Sequence, residues 1–368
     1  MLEEASGSRV TLVKILSGGD VDLITPLHEM AGEGVFAKEL QAALLAGEVD
    51  VVVHSLKDLP LQMPESAPVV AIPPRESPAD LLVLLEDGDG RIPPNGARIG
   101  TSSPRRQSQL LALDRDIVPV DLRGNVDTRL RKLREGWVDG LLLAEAARDR
   151  LPGDLFEGLV THRLPLDIYP TAPGQGAIAL QTLARGEAAS IARRVDDDET
   201  RRAVEAERTL LAELGGGCGM PLGMTVRRDG DMWIADASLA SAAWREEGPP
   251  RLSRAHLVTG SLADVVPHVL GALRQPPAAA SEVPAGAGHR RVLLVADAET
   301  SAAYRPRLEA VDFTVESWYP FEYESTLEGP LPRDLLDAWR DCGWVLLTSH
   351  RAAEALARLA REPPRVGH

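Results

Sequence analysis

Between residues 97 and 107 the sequence reads ARIGTSSPRRQ. The first four residues favour the end of a strand. Ser103 is a typical helix N-cap and Pro104 a typical first helical residue, so a helix is predicted through Leu113. A strand that passes directly into a capped helix is typical of α/β proteins.

This junction also predicts an anion site. The helix would point its unpaired N–H groups and positive dipole end at the preceding loop. The hydroxyls of Thr101 and Ser102 and the guanidinium groups of Arg105 and Arg106 fall in the same stretch, and arginine binds carboxylates or phosphates at two points. A capped surface helix alone would explain Ser103 but not the paired arginines.

The same design follows one unit later. The pattern predicts a strand at 117–122, a helix at 126–135 and a strand at 140–144, which indicates a βαβ array. Arg123 would stand at the mouth of this helix, and Arg129 about a turn inside it. Both would add positive charge to the same region.

The N-terminal region has a related pattern, with a strand predicted at 10–16 and a helix at 35–46. Residues 49–53 are apolar and rich in β-branched side chains, which favours a strand buried on both faces of a parallel sheet. Lys57 and Asp58 follow at its carboxyl end, where ligands bind in open α/β sheets. The alternative for this dipeptide is a solvated surface pair.

A cysteine loop follows an amphipathic helix. The acidic run 196–199 opens a helix that is predicted to reach Leu214, and the loop GGGCGMP (215–221) holds Cys218. Glycines at the end of a helix argue against a packed position. The pattern favours an exposed thiol used as a nucleophile or attachment point over an incidental loop cysteine. A small α+β unit is completed by a hairpin (224–228 and 232–239), a strand (252–258) and a helix (262–273).

Composition bounds the function. The 368 residues carry a net charge of −15, which argues against a nucleic-acid or anionic-membrane surface. The stretch from Arg98 to Arg134 is nevertheless basic, with nine basic and four acidic residues, a balance of +5 that fits a small polyanion. No apolar run approaches the roughly 20 residues of a membrane span. Two distant cysteines, Cys218 and Cys342, and no signal segment favour the reducing cytoplasm.

A linker and a further domain end the chain. Residues 275–289 are rich in Pro, Ala and Gly and lack periodicity, as is typical of a linker. Strands predicted at 291–296, 313–318 and 344–348 then alternate with predicted helices. This pattern indicates the opening of another α/β domain.

Five strings, in order, resemble the hydroxymethylbilane synthase family, also called porphobilinogen deaminases. They are HSLKDLP (54–60), GTSSPRRQ (100–107), LRGNVDTRL (122–130), PGQGA (173–177) and GGCGMPLG (216–223). The resemblance extends over roughly residues 10–274. It implies a transferase of tetrapyrrole (haem and porphyrin) biosynthesis that condenses four porphobilinogen molecules head to tail with loss of ammonia.

The resemblance implies an α/β fold with two doubly wound lobes like those of periplasmic binding proteins and a small α+β domain that carries the cysteine. The expected division is residues 1–75 plus 171–195 for domain 1, 76–170 for domain 2, 196–274 for domain 3, 275–289 for the linker and 290–368 for a partial C-terminal α/β domain. A monomer is expected, with porphobilinogen and the growing polypyrrole as its partners, and with no nucleic acid, metal or membrane.

The resemblance also implies roles for single residues. Cys218 would hold a dipyrromethane cofactor through a thioether, and Asp58 would be catalytic, stabilising the positive charge left when ammonia departs. Cofactor contacts would come from Ser55, Lys57, Thr101, Ser102, Ser103, Arg105, Arg106, Arg123 and Gly124. Substrate contacts would come from Arg105, Arg123, Arg129 and Gln175.

Two features extend or depart from this pattern. Residues 291–359, notably WVLLTSH (344–350), resemble the start of uroporphyrinogen-III synthase, which implies a fusion that hands hydroxymethylbilane to the next enzyme. The family normally begins with a strand and an Arg/Ser-Pro-Leu-Ala segment that has no counterpart here, so domain 1 is expected to lack its usual first strand. Glu33 stands where the family usually has a basic residue.

Two other functions compete with the transferase. A non-catalytic anion-binding module of the periplasmic type would need the arginine loops but neither Cys218 nor Asp58. An inactive, truncated remnant of a bifunctional enzyme would keep the motifs without turnover.

Overall fold

The computed structural model describes residues 1–15, 37–86, 93–112, 116–217, 219–241, 243–245 and 250–275, together with the strands 290–295, 313–318 and 344–347. The chain divides into two compact units, Met1–Ala279 and Ala280–His368. Among the described residues, no helix is both long and apolar enough to cross a membrane. The helices and strands alternate in a mixed α/β order, which confirms the predicted fold class.

The first unit contains eleven described strands. They are β1 (Val52–Ser55), β2 (Val69–Ala71), β3 (Asp80–Leu84), β4 (Arg98–Gly100), β5 (Val118–Val120), β6 (Gly140–Ala144), β7 (Val160–Arg163), β8 (Ile178–Gln181), β9 (Leu222–Asp229), β10 (Met232–Ala240) and β11 (Leu252–Thr259). Its described α-helices are α1 (Leu2–Ser6), α2 (Lys38–Leu45), α3 (Pro104–Leu111), α4 (Val126–Arg134), α5 (Glu145–Arg150), α6 (Glu187–Ala192), α7 (Asp198–Glu213) and α8 (Val265–Leu273).

A five-stranded sheet in the order β5-β4-β6-β3-β7 forms one α/β layer. Strand β4 is parallel to β5 and β6, whereas β3 is antiparallel to β6 and β7. Both faces are covered because alternate residues of β3 enter two different cores. Leu81 packs with Leu130 of α4 on one face, and Leu82 packs with Leu110 of α3 on the other. This arrangement places the N-termini of both helices at one edge of the sheet.

A smaller sheet has the order β1-β8-β2, and both of its pairings are antiparallel. Leu56 and Leu59, which follow β1, pack in one core with Ala177, Ala179 and Val204. Because Val204 belongs to α7, this helix lies against the loop that follows β1.

The third sheet has the order β11-β10-β9 and is antiparallel throughout. It packs one face on α7 and α8 through a core that includes Leu210, Met224, Trp233 and Val269. The predicted hairpin, the following strand and the helix after it are all confirmed.

The second unit is described by three strands, β12 (Arg290–Val295), β13 (Phe313–Trp318) and β14 (Trp344–Leu347). They form a parallel sheet in the order β13-β12-β14. The three strands predicted here are therefore confirmed to within a residue at each end. The helices predicted between and after them lie outside the described residues.

Two predictions for the N-terminal region are wrong. Residues 10–15 form no strand among the described residues, and Leu12 and Val13 are 91% and 59% exposed. An apolar run becomes a strand only where a partner satisfies its backbone groups. Strand β1 is also not a parallel strand buried on both faces. It pairs antiparallel with β8, and its burial alternates, with Val53 53% exposed.

Candidate active site

The Lys57–Asp58 dipeptide sits in a single 3-10 turn, Leu56–Asp58, directly after β1. Leu56 is buried and its N–H donates to the carbonyl of Ala177 at 3.0 Å, while Asp58 is exposed. The Lys57 ammonium donates to Oε1 of Gln175 at 3.2 Å. Burial lowers the pKa of Lys57 to about 8, partly offset by the negative charge of Asp58.

Arg105 and Arg106 lie in the first turn of α3 and are 3% and 6% exposed. Ser103 caps this helix, its Oγ accepting from the Arg106 N–H, as predicted. Both guanidinium groups bind Asp80, the first residue of β3, at 2.9 Å from Arg105 and 2.6 Å from Arg106. Burial opposes ionisation of Asp80, yet the two arginines outweigh it and hold its pKa well below the usual range.

Gln175 joins these two groups. Its side chain is 1% exposed, and Nε2 donates to the carbonyl of Pro78 at 2.7 Å and to Asp80 at 2.8 Å. Its Oε1 accepts from Lys57 and, at 3.5 Å, from Arg106. The turn around it requires glycine: at Gly176 φ is +87°, and a Cβ there would lie 2.5 Å from the carbonyl oxygen of Glu76.

The second helix mouth contributes Arg123 and Arg129. Gly124, with φ of +110°, lets the chain turn between β5 and α4, and a Cβ there would lie 2.8 Å from Thr128. Nε of Arg129 donates to the Gly124 carbonyl at 2.7 Å. Burial lowers the pKa of Arg129 to about 10, with further lowering by Arg106 and Arg123 and an opposing effect of Asp58.

These interactions bring most of the predicted site residues into one cluster. Lys57 and Asp58 come from the loop after β1, Arg105 and Arg106 from α3, and Arg123 and Arg129 from the start of α4. Together with Asp80, the cluster holds five cationic side chains and two carboxylates. Such a cluster can bind several carboxylates at once while keeping one exposed carboxylate, Asp58, beside them.

Helix α7 anchors the 173–177 turn through Glu207. Glu207 is fully buried and pairs with Arg75 at 2.7 Å, and it accepts from the backbone N–H of Gly174 and of Val226, each at 2.7 Å. Nε of Arg75 also donates to the Gln175 carbonyl at 2.7 Å. One helix thus fixes the 173–177 turn to the third sheet.

Comparison with known proteins shows which family the chain belongs to. Residues 1–190 match the family model described as porphobilinogen deaminase, dipyrromethane cofactor binding domain. The chain belongs to the porphobilinogen deaminase family. Members of this family are transferases that deaminate and condense porphobilinogen, and the matched domain is the one that binds the dipyrromethane cofactor.

Curated relatives agree with that assignment. The porphobilinogen deaminase of Roseiflexus sp. (strain RS-1) is 42% identical over 226 residues, which are 61% of this chain and 74% of the relative. That of Acidothermus cellulolyticus is 47% identical over 225 residues, covering 60% and 67%. The probable porphobilinogen deaminase of Methanococcoides burtonii is 40% identical over 233 residues, covering 63% and 74%.

The cluster fits the cofactor of a porphobilinogen deaminase. Among the described residues, the buried Oγ of Ser102 and the buried Nε of Arg105 have no hydrogen-bond partner within the chain. A buried donor without a partner is costly, so such groups point to a ligand that completes them. A dipyrromethane has acetate and propionate side chains, and these suit a donor set of arginine, lysine and hydroxyl groups.

Other predicted contacts are placed as follows. Ser55 is exposed at the end of β1, and Thr101 is 2% exposed, its Oγ1 accepting from the Ser103 N–H at 3.3 Å. Cys218 and Glu33 lie outside the described residues. The described helix α7 nevertheless leads toward the cysteine loop, and Gly215 follows it with φ of +68°.

Sequence reasoning missed Asp80 and the Arg75–Glu207 pair. Asp80 opens the apolar run of β3, and a charged residue at the buried edge of such a run is a signal for a paired charge. Glu207 falls on the apolar stripe of α7, where a glutamate is equally unusual. Neither pattern predicts which residue the carboxylate pairs with, because the partners of Asp80 and Glu207 are distant in the sequence.

Proposed function

We propose that this cluster is the catalytic site of a hydroxymethylbilane synthase, which adds four porphobilinogen molecules head to tail, each with loss of ammonia. The observation that supports it most is the exposed Asp58 carboxylate among five cationic side chains. A growing polypyrrole carries an acetate and a propionate on every ring, so it needs several fixed cations. The dipyrromethane group, attached through a thioether to Cys218, supplies the primer that is extended.

The residues of the cluster have separate tasks in this proposal. Arg123 and Arg129 bind substrate carboxylates, and Lys57 adds an ammonium that is mostly protonated at neutral pH because its pKa is about 8. Arg105 offers its unpartnered Nε, since Asp80 already holds its terminal nitrogen. Ser55, Thr101, Ser102, Ser103, Arg106 and Gly124 line the cofactor.

Asp58 performs the charge stabilisation. When porphobilinogen loses ammonia, it leaves a cation whose positive charge is shared with the pyrrole nitrogen. A carboxylate placed beside that nitrogen stabilises the cation and accepts the N–H hydrogen bond. The Asp58 oxygens are suited to this task because the side chain is exposed, whereas Asp80 is buried and bound to two arginines.

Gln175 holds the cationic side chains of the cluster in place and is not itself free to bind the substrate. Its amide is shared among Lys57, Arg106, Asp80 and the Pro78 carbonyl. We therefore assign it the task of orienting Lys57 toward substrate. A direct substrate contact through its side chain would require one of these bonds to be exchanged.

The test is turnover of porphobilinogen by the purified chain. Wild type should consume porphobilinogen, and Asp58→Ala should abolish turnover, whereas Asp127→Ala, at an exposed carboxylate in the first turn of α4, should leave it unchanged. Binding without turnover in the wild type would favour the non-catalytic anion-binding module. Absence of both would favour the inactive remnant.

The finer domain division is also part of the proposal. We assign domain 1 to residues 1–75 plus 171–195, domain 2 to 76–170 and domain 3 to 196–274, with a linker at 275–289. The three separate sheets of the first unit support this division. Two cysteines in the whole chain support a reducing compartment such as the cytoplasm, and a monomer is the expected state.

We propose that residues 290–368 belong to a uroporphyrinogen-III synthase domain that receives the product. Its parallel β13-β12-β14 sheet is compatible with the α/β domain that the sequence predicts. Hydroxymethylbilane closes to the wrong ring isomer when it is left free. Analysis of the cyclised product of the full chain and of residues 1–279 tests the proposal: identical isomer mixtures would contradict a working C-terminal domain.

A further inference from the structure

Arg208 of α7 binds the backbone around Asp58. Its Nη1 donates to the carbonyls of Leu56 at 3.4 Å and Leu59 at 3.2 Å, and its Nη2 donates to that of Pro60 at 2.6 Å. These three carbonyls lie two residues before Asp58 and one and two residues after it. The 3-10 turn ends here, with the Leu59 N–H donating back to Leu56 at 3.2 Å.

We propose that Arg208 is a positioning residue that fixes the direction of the Asp58 carboxylate. This inference rests on the proposed function, because it assigns Arg208 a task in that same site. A guanidinium is planar and rigid, so its three bonds fix the carbonyls of Leu56, Leu59 and Pro60, which lie on both sides of Asp58 in the chain. In this proposal Arg208 does not contact the substrate; it acts through the backbone of the loop.

The hydrogen bonds from Arg208 do more than attach the 56–60 loop to α7. Leu56 and Leu59 are 2% and 4% exposed and pack with Val204 in a shared core, so apolar burial already anchors the loop to α7. Asp58 lies between these two anchors and is exposed. The core does not determine the backbone orientation between the two anchors, and Arg208 binds carbonyls on both sides of that segment.

The same helix leads to the cofactor loop. Helix α7 ends at Glu213, and Cys218 follows five residues later in the sequence. At about 1.5 Å per residue, the helical segment from Arg208 to Glu213 spans roughly 8 Å. A rigid segment of this kind couples the backbone that aims Asp58 to the start of the loop that holds the primer.

The experiment compares Arg208→Ala and Arg208→Lys with Arg202→Ala. Arg202 lies on the same helix, but its guanidinium packs over the Trp233 ring, 5.5 Å from the centroid, so it serves as the matched control. Four readouts are taken on each full-length protein: intact mass for the cofactor, kcat and KM for porphobilinogen, thermal unfolding, and hydrogen exchange of the peptide that contains residues 56–60.

We expect every variant to carry the cofactor mass. Arg208→Ala should lose between about tenfold and a hundredfold in kcat, the loss that a misplacement near 1 Å produces, with KM little changed because other residues bind the substrate carboxylates. Exchange at residues 56–60 should rise in Arg208→Ala. Arg208→Lys should recover part of kcat, since an ammonium can bind two of the three carbonyls, and Arg202→Ala should behave as wild type.

Wild-type kcat in Arg208→Ala, or an equal loss in Arg202→Ala, would overturn the proposal. So would a lowered unfolding temperature with unchanged kcat, which is the signature of a purely structural contact. If Arg208→Ala fails to fold, Arg208→Lys decides alone: unchanged kcat and exchange would reject the positioning task. A wild-type protein without cofactor or turnover rejects the proposed function instead, and the exchange comparison then still decides whether Arg208 orders the loop.

Discussion

At the scale of single residues, the site combines cations that must stay charged with one that is close to losing its proton. The arginines stay charged at neutral pH, even Arg129 with its pKa lowered to about 10, whereas burial brings the Lys57 pKa down to about 8. These cations could be predicted from the sequence because they lie next to predicted turns and helix caps. The sequence did not indicate Asp80, whose importance comes from contacts with Arg105 and Arg106 across the sheet.

The lowered pKa of Lys57 leads us to expect that kcat/KM depends on pH. If the ammonium binds substrate carboxylates, kcat/KM of the wild type should fall as pH rises through about 8. Lys57→Arg keeps its charge and should be flatter over the same range. Titration of the substrate amine is common to both proteins and cancels in their ratio. Parallel pH profiles for the two enzymes would show that Lys57 has no charge-dependent role.

Asp80 makes a stability prediction. Asp80→Asn leaves two buried guanidinium groups without their carboxylate and should cost about 3–5 kcal/mol in urea unfolding. Asp139→Asn breaks an exposed pair with Arg98 and should cost about 0–1 kcal/mol. Because the Asp80 pKa is depressed, its contribution is fully present above the unfolded pKa of about 3.9 and is lost as pH falls through the folded value. The wild-type advantage should therefore be constant from about pH 5 to 7, and equal costs for the two variants would refute the assignment.

At the scale of elements, local signals predicted helices better than they predicted strand pairing. Ser103 and Pro104 start α3 as expected, because a cap depends on neighbours in the chain. The run at 49–53 looked like a parallel strand buried on both faces, but β1 is antiparallel to β8 and half exposed. Pairing depends on which distant strand arrives beside it, and composition does not encode that choice.

The turn at 173–177 makes a prediction at this scale. Gly176→Ala would force a Cβ to 2.5 Å from the Glu76 carbonyl oxygen in addition to a φ of +87°. Gly158→Ala has a similar φ of +72° but no atom within 4 Å of the added Cβ, so it measures the strain alone, about 1–2 kcal/mol. Urea unfolding should show a distinctly larger loss for Gly176→Ala. Equal losses would mean that the turn can move away from the backbone of Glu76 and Ser77.

At the scale of the whole molecule, every described residue of the site belongs to the unit Met1–Ala279. The sequence motifs located that unit and its function, because five strings of a recognisable family fall inside it. The network on α7, where Glu207 and Arg208 hold two site loops from one helix, could not be read from sequence. Those contacts join segments roughly 30 to 150 residues apart.

This division predicts that residues 1–279 work alone. A chain ending at Ala279 should unfold cooperatively and show the same kcat/KM for porphobilinogen as the full chain, because it keeps all of the residues placed in the site. A steady-state assay of the two proteins side by side is the measurement. A large loss in the shorter chain would mean that residues after 279 contribute to the site.

In the proposed function, the chain extends a primer held by Cys218. Intact-mass measurement of the protein purified from cells that make porphobilinogen tests it most directly. We expect an added mass equal to two linked pyrroles, absent from Cys218→Ala and retained in Cys342→Ala, which changes the other cysteine. An unmodified wild-type mass, in a preparation shown to be folded and exposed to porphobilinogen, would contradict it.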